Sequence, residues 1–204
     1  LAFNANMLAN EMFMDSASLR SSIVSHAKTL GYEVTSSRAP KALVDVKLTT
    51  NLTSATMPAG TSFSTTVDDV NYKFVTIEDI TAQTSGSYIQ FTSTPIYEGT
   101  WTTTRYIVNS ADVSQKFHIP SDRADTSTLT VKVQNSVSDS TQTVYTKATD
   151  ITQVTSTSTV YFLQETDAGK FEIYFGDGII GEKPVDNNIV ILQYVVTNRD
   201  KANG

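Results

Sequence analysis

Apolar residues recur with a helical period over the first thirty or so positions, then with an alternating period after Pro40. Leu1, Ala5, Leu8 and Met12 make one helical stripe, and Phe3, Met7 and Phe13 flank it. Asp15 and Ser16 interrupt the pattern and recap the chain. Leu19, Ile23, Ala27 and Leu30 make a second stripe, with Gly31 where a helix normally stops. The spacing predicts a helical hairpin, its first helix running from Leu1 to Met14.

Beyond Pro40 the period is two. Ala42, Val44, Val46 and Leu48 alternate with Leu43, Asp45, Lys47 and Thr49, which predicts a strand. Similar runs follow at 61–67, 72–77, 87–92, 101–108, 115–119 and 128–134. Asp68-Asp69-Val70-Asn71 reads as the turn of a hairpin between Val67 and Tyr72. The Ser/Thr-rich stretch 136–143 reads as a loop or boundary. Tyr161 and Leu163 lead through Asp167-Ala168-Gly169 into Phe171, Ile173 and Phe175, a second hairpin. Ile189 to Val196 is almost entirely apolar, the mark of a central strand buried on both faces. The expected fold is α+β, mainly β: a helical hairpin over 1–38, an antiparallel or mixed β domain over 39–140, and a second β subdomain over 141–204 that completes the sheet. The chain begins at Leu1, and a piece of a longer protein is expected.

Composition sharpens this picture. Serine and threonine supply about a quarter of the 204 residues, and threonine favours strands. Charged residues make up 18%, below the roughly 25% of an average soluble domain. The net charge is -6 and Lys and Arg are scattered, so the clustered cations that nucleic acid or an anionic membrane surface needs are missing. No apolar run approaches the roughly 18 residues of a membrane span. Without cysteine there is neither a disulfide nor a thiolate.

Candidate chemistry is sparse. His26 and His118 have no sequence neighbour at metal-ligand spacing. Serines are many, but none sits in a strand–elbow–helix frame between glycines. Of the paired acids, Asp68-Asp69 falls in the predicted turn, and Glu78-Asp79, read on a strand, would face opposite ways. Ala168-Gly169-Lys170 lacks the rest of a phosphate loop. Asn51-Leu52-Thr53 matches a glycosylation acceptor, which matters only on a eukaryotic secretory route. The most distinctive segment is 175–184, where Gly176, Asp177, Gly178 and Gly181 fall between two strong strands. One Asp and one Glu supply too few oxygens for calcium, so it reads as a structural loop that aims the last strand into the sheet. No catalytic residue, cofactor, metal or small-molecule substrate is expected.

Four stretches carry a family resemblance. FGDGIIGEKP precedes the apolar NNIVILQYVVTN; MPAGTSFST at 57–65 precedes Tyr72-Lys73-Phe74; the helical opening reads NEMFMDSASLRSSIVSHAKTLGYEVTSSRAPKA; and QKFHIPSDRADTSTLTVKV leads into a strand. Together, in this order, they resemble the baseplate wedge subunits of T-even-like contractile-tailed bacteriophages, within the baseplate J-like family. The ending NRDKANG departs from the glycine-rich close of that family. The resemblance implies a non-enzymatic structural role in the virion, assembled in the bacterial host cytoplasm. Such subunits pair, join other wedge proteins and close into a ring around the hub that anchors sheath and fibres and rearranges on contraction. An apolar surplus on the first helix, at Phe3, Met7, Met12, Phe13 and Met14, then reads as a subunit interface or as a face that the β domain covers. The rival reading, a carbohydrate-binding or glycan-cleaving tail module, requires an aromatic groove with a carboxylate pair, for instance near Tyr97 and Trp101.

Overall fold

The computed structural model describes residues 2–32, 34–112, 114–166 and 169–198, with backbone alone for 2–5 and 28. Among the described residues two helices, α1 (Ala2–Glu11) and α2 (Arg20–Thr29), precede thirteen strands. A four-stranded antiparallel sheet holds β1 (Lys41–Thr49), β6 (Tyr88–Glu98), β4 (Val70–Val75) and β3 (Ser62–Val67), in that order. A ribbon of β2 (Ser54–Met57) and β5 (Ile80–Gln83) stands beside it. The largest sheet runs β7 (Thr100–Ile107), β13 (Ile189–Val196), β9 (Ala124–Gln134), β10 (Gln142–Lys147), β11 (Val160–Glu165), β12 (Phe171–Phe175), β8 (Phe117–Ile119). Its neighbours are antiparallel except β10 and β11. The expected fold class, a short helical part followed by antiparallel and mixed sheets, is the one observed.

The seven-stranded sheet curls until its two edge strands meet. Tyr106 on β7 donates its hydroxyl to the His118 carbonyl on β8 at 2.6 Å, and its ring lies edge-on to Phe117 at 5.8 Å. Inside the curl, Ile119, Val131, Ile173, Val190, Leu192 and Tyr194 form the centre of the main core. β13 lies between β7 and β9, and its other face buries Ile191 and Val195. The apolar run 189–196 is therefore a central strand buried on both sides, as its sequence predicts. A smaller core of Met57, Ile89 and Phe91 joins the four-stranded sheet to the ribbon through Val46, Ala55, Phe63, Ile80 and Ala82.

Several expectations are corrected. The first helix ends at Glu11, so Met12 to Met14 lie in the turn after it. The Asp68-Asp69-Val70-Asn71 turn shrinks to Asp68 and Asp69, both at positive φ. Val70 and Asn71 already pair with β3, the two-residue geometry that suits strand twist. Glu78 and Asp79 lie in a loop, not on a strand, and the Asp79 carboxylate accepts the Ala59 N–H at 2.7 Å. The stretch 136–143 is only partly loop, since β10 begins at Gln142. The alternation from Ala42 fails at Leu48, which is exposed. The bulge lies on β6, where Thr92 and Ser93 stand opposite the single Asp45 of β1, and Asp45 accepts the Ser93 N–H at 2.7 Å across it; β1 itself keeps its alternation through Val46, which packs on the smaller core.

A rigid corner links the two larger sheets. β6 passes into β7 at Gly99, whose φ is +129 and whose Cβ position is occupied by the Val196 carbonyl oxygen. Beside it the buried Glu98 carboxylate accepts the Thr197 hydroxyl (2.9 Å), the Asn198 N–H (3.1 Å) and the Asn198 side-chain amide (2.7 Å). The incoming chain is tied down similarly: the buried Asp125 accepts the Ala39 N–H at 2.8 Å.

Candidate functional site: the helical hairpin and the glycine loop

Glu11, the last residue of α1, organises the hairpin. Its carboxylate accepts the Ser18 N–H (3.0 Å), the Ser18 hydroxyl (2.8 Å) and the Leu19 N–H (3.2 Å), so it caps the orphan donors that open α2. The Ser22 hydroxyl, then the Ser18 N–H and hydroxyl, hold its carboxyl down at about 2 from an ordinary 4.5. The sequence pattern assigned the recapping to Asp15 and Ser16; Ser16 instead returns its hydroxyl to the Asn10 carbonyl at 2.6 Å. His26 reaches the Glu11 carbonyl at 3.0 Å. α2 closes at Gly31 (φ +78) with the Tyr32 N–H on the Ala27 carbonyl at 2.9 Å, a Schellman closure that glycine permits.

The capping gives a pH signature. A carboxyl whose folded value is lowered contributes stability above its unfolded value and loses it as pH falls through the folded one. The cap should therefore hold from neutrality to about pH 4.5 and fade towards pH 2. Amide shifts of Ser18 and Leu19, followed by NMR, should titrate with a midpoint near 2. A midpoint at the ordinary carboxylate value would contradict this, and Glu11→Gln should abolish the titration.

The apolar side chains of this hairpin are largely uncovered. Met12 is 69% and Phe13 65% exposed, and Met7, Leu8, Met14, Leu19, Ile23 and Leu30 are exposed as well. Phe3 lies outside the residues whose side chains are described. These side chains lie on the two ten-residue helices and in the turns that flank them.

The glycine loop is turned inward on itself. Asp177 accepts the N–H groups of Ile179 (2.9 Å) and Ile180 (3.0 Å), and those bonds, Ile180 first, lower its pKa. Gly178 donates to the Gly181 carbonyl and Gly181 to the Thr155 carbonyl, both at 3.0 Å. Gly176 has no room for a Cβ, since the Ile180 and Gly181 carbonyl oxygens stand there. A cavity of about 300 Å³ opens beside the loop, lined by Asp112, Gln115, Tyr174, Asp177 and Lys183 among others. Its two acids are already engaged, Asp112 by the Ser114 N–H (3.0 Å) and hydroxyl (2.7 Å).

The buried carboxylates are residues that sequence reasoning did not single out. Glu172 on β12 is 4% exposed. Burial pushes its carboxyl up, but hydrogen bonds from Lys116 (2.9 Å) and from Gln164, with the charges of Lys116 and His118, outweigh this and lower it. His118, unaccompanied in sequence, thus faces an acid, its Nδ1 3.7 Å from Glu172. Glu165 on β11 accepts Arg20 Nε at 2.8 Å. No motif marks these acids, because their cationic partners, Arg20 and Lys116, come from segments far along the chain. Among the described residues no three His, Asp or Glu side chains gather as a metal site. Tyr97 lies under the Lys41 ammonium at 5.6 Å, and Trp101 packs against Gly60.

Comparison with known proteins adds two likenesses to this geometry. Residues 109–199, which hold β8 to β13, match the family model described as the third domain of the bacteriophage baseplate wedge protein gp6. The chain is also 29% identical over 219 aligned positions to the baseplate wedge protein gp6 of Enterobacteria phage T4, an alignment covering 98% of this chain. It spans 32% of that relative's length. Helical hairpin, curled sheet and glycine loop thus lie in a chain that is similar, along nearly all its length, to the baseplate wedge protein of a T-even phage.

Proposed function

We propose that this chain is a structural part of a contractile-tail baseplate wedge, located in the virion and without enzymatic activity. The alignment of 98% of the chain with a baseplate wedge protein carries the reading. The hydrogen-bonded Asp177 and Glu98 carboxylates and the close-packed Gly99 corner agree with it, because a scaffold needs stiffness more than poised acids or bases. In this reading the chain associates with itself and with other baseplate wedge proteins, as dimers that close into a ring and rearrange on contraction. The interface includes Met7, Met12, Phe13 and Met14, with Phe3 on the same helix, and the loop of Gly176, Asp177, Gly178 and Gly181 is structural. Residues 141–204 act as a subdomain that completes the sheet begun by 39–140, a division supported by the pairing of β13 with β7 and β9.

Mixing the protein with the other baseplate proteins of the same tail, followed by sedimentation, tests this. The chain is expected to sediment as a complex, and Met7→Ser with Phe13→Ser to return it to the monomer with its β-sheet circular dichroism unchanged. Loss of the β signal would assign those side chains to the core. A monomer that cleaves or binds cell-wall sugar would replace the reading altogether.

A further inference from the structure

We infer that the direction of the helical hairpin is set by an ionic latch, in which Glu165 of the curled sheet is the anchor and Arg20 of α2 the moving partner. The Glu165 side chain is 1% exposed and that of Arg20 61%. Arg20 Nε meets Glu165 Oε1 at 2.8 Å, joining the first turn of α2 to the end of β11. A buried carboxylate gains from a nearby cation, so undocking the hairpin takes the Arg20 guanidinium away from Glu165. Glu165 has other interactions too, which is why the carboxylate and not the arginine alone is the anchor. Apolar packing does not do this work, because Leu8, Met12, Phe13, Leu19, Ile23 and Leu30 stay exposed.

The path between helix and sheet has the matching mechanics. The strap that follows α2 is fixed to β9: Ser36 accepts the Thr126 N–H at 2.9 Å and Asp125 accepts the Ala39 N–H at 2.8 Å. Between strap and helix stands Gly31, at φ +78, with open space where a Cβ would be. A fixed strap, a glycine joint and a charge-held contact with one solvent-exposed partner make an element that can be held in one direction or released, and salt weakens such a contact. Its use, presenting or withdrawing the apolar face of the hairpin, rests on the interface reading above.

Because the chain has no cysteine, spin labels placed at Ser25→Cys on α2 and Gln142→Cys on β10 report this geometry alone. Pulsed electron–electron resonance on the otherwise unaltered protein is expected to give one narrow distance at low salt. Arg20→Ala and Glu165→Gln should each lose that peak to a broad distribution with circular dichroism unchanged, and Arg20→Lys should keep part of it. A broad distribution in the parent, or the parent's narrow peak persisting in either Arg20→Ala or Glu165→Gln, overturns the latch. Arg20 is exposed, so its variant folds even if Glu165→Gln does not. The interface reading is judged separately, by sedimentation of the Met7→Ser, Phe13→Ser protein.

Discussion

Gly176→Ala should destabilise the protein by about 3 kcal/mol or more, the upper range for forcing an atom into a filled space. The atoms nearest the missing Cβ are backbone, the carbonyl groups of Ile180 and Gly181, and backbone cannot rotate away as a side chain would. Relief requires the 176–181 loop to open, which breaks the Gly178–Gly181 and Gly181–Thr155 hydrogen bonds together. In a domain of this size such a loss lowers the thermal midpoint by roughly 6–12 °C. Gly178→Ala is the internal control. Its Cβ meets nothing within 4 Å and only the positive φ of +90 resists it, so about 1–2 kcal/mol is expected. Equal midpoints for the two variants would show that the loop is not closed as described.

Leu192→Ala should cost about 2–5 kcal/mol, the range for truncating a fully buried leucine whose surroundings relax only in part. Leu192 is 0% exposed, on the strand between β7 and β9, and belongs to the core inside the curl. Against a total near the low end of about 5–15 kcal/mol, such a loss leaves a marginal fold. Leu43→Ala is the comparison: Leu43 is 63% exposed, so its loss should stay within about 0.5 kcal/mol. Denaturant midpoints at equal slope measure both. A Leu192→Ala midpoint as high as that of Leu43→Ala would place the core elsewhere.

The legibility of this protein in its sequence follows the reach of each interaction. Local periodicity marked both helices, and the Ser62–Val75 and Val160–Phe175 hairpins, whose partners are near in sequence. It missed β2 and β5, four residues each, which are too short for an alternating pattern to rise above chance. At β1 the alternation holds through Val46 and lapses at Leu48, which stays exposed, while the bulge opposite Asp45 lies on β6 and leaves no trace in the β1 pattern. Among functional features, the apolar surplus of the hairpin and the inward role of the glycine loop could be read from residue type. Glu11 as the cap of α2 could have been found from its position seven residues before Ser18, had a carboxylate across the turn been weighed against the nearer Asp15. Glu98, Asp125, Glu165 and Glu172 could not, since an acid in a strand looks solvent-facing until the chain brings its partner.

By itself, the sequence determined the order and kind of the main elements, the two-sided burial of 189–196, and the glycine-dependent loop before it. These depend on side-chain period and backbone freedom within a dozen residues or so. Tertiary structure alone decided the curl that brings Tyr106 to His118, the corner at Glu98 and Gly99, and the meeting of Arg20 with Glu165, residues 145 positions apart. Those contacts exist because buried polar groups must find partners once the sheets have closed, and which partner is at hand is settled by topology rather than by any pattern along the chain.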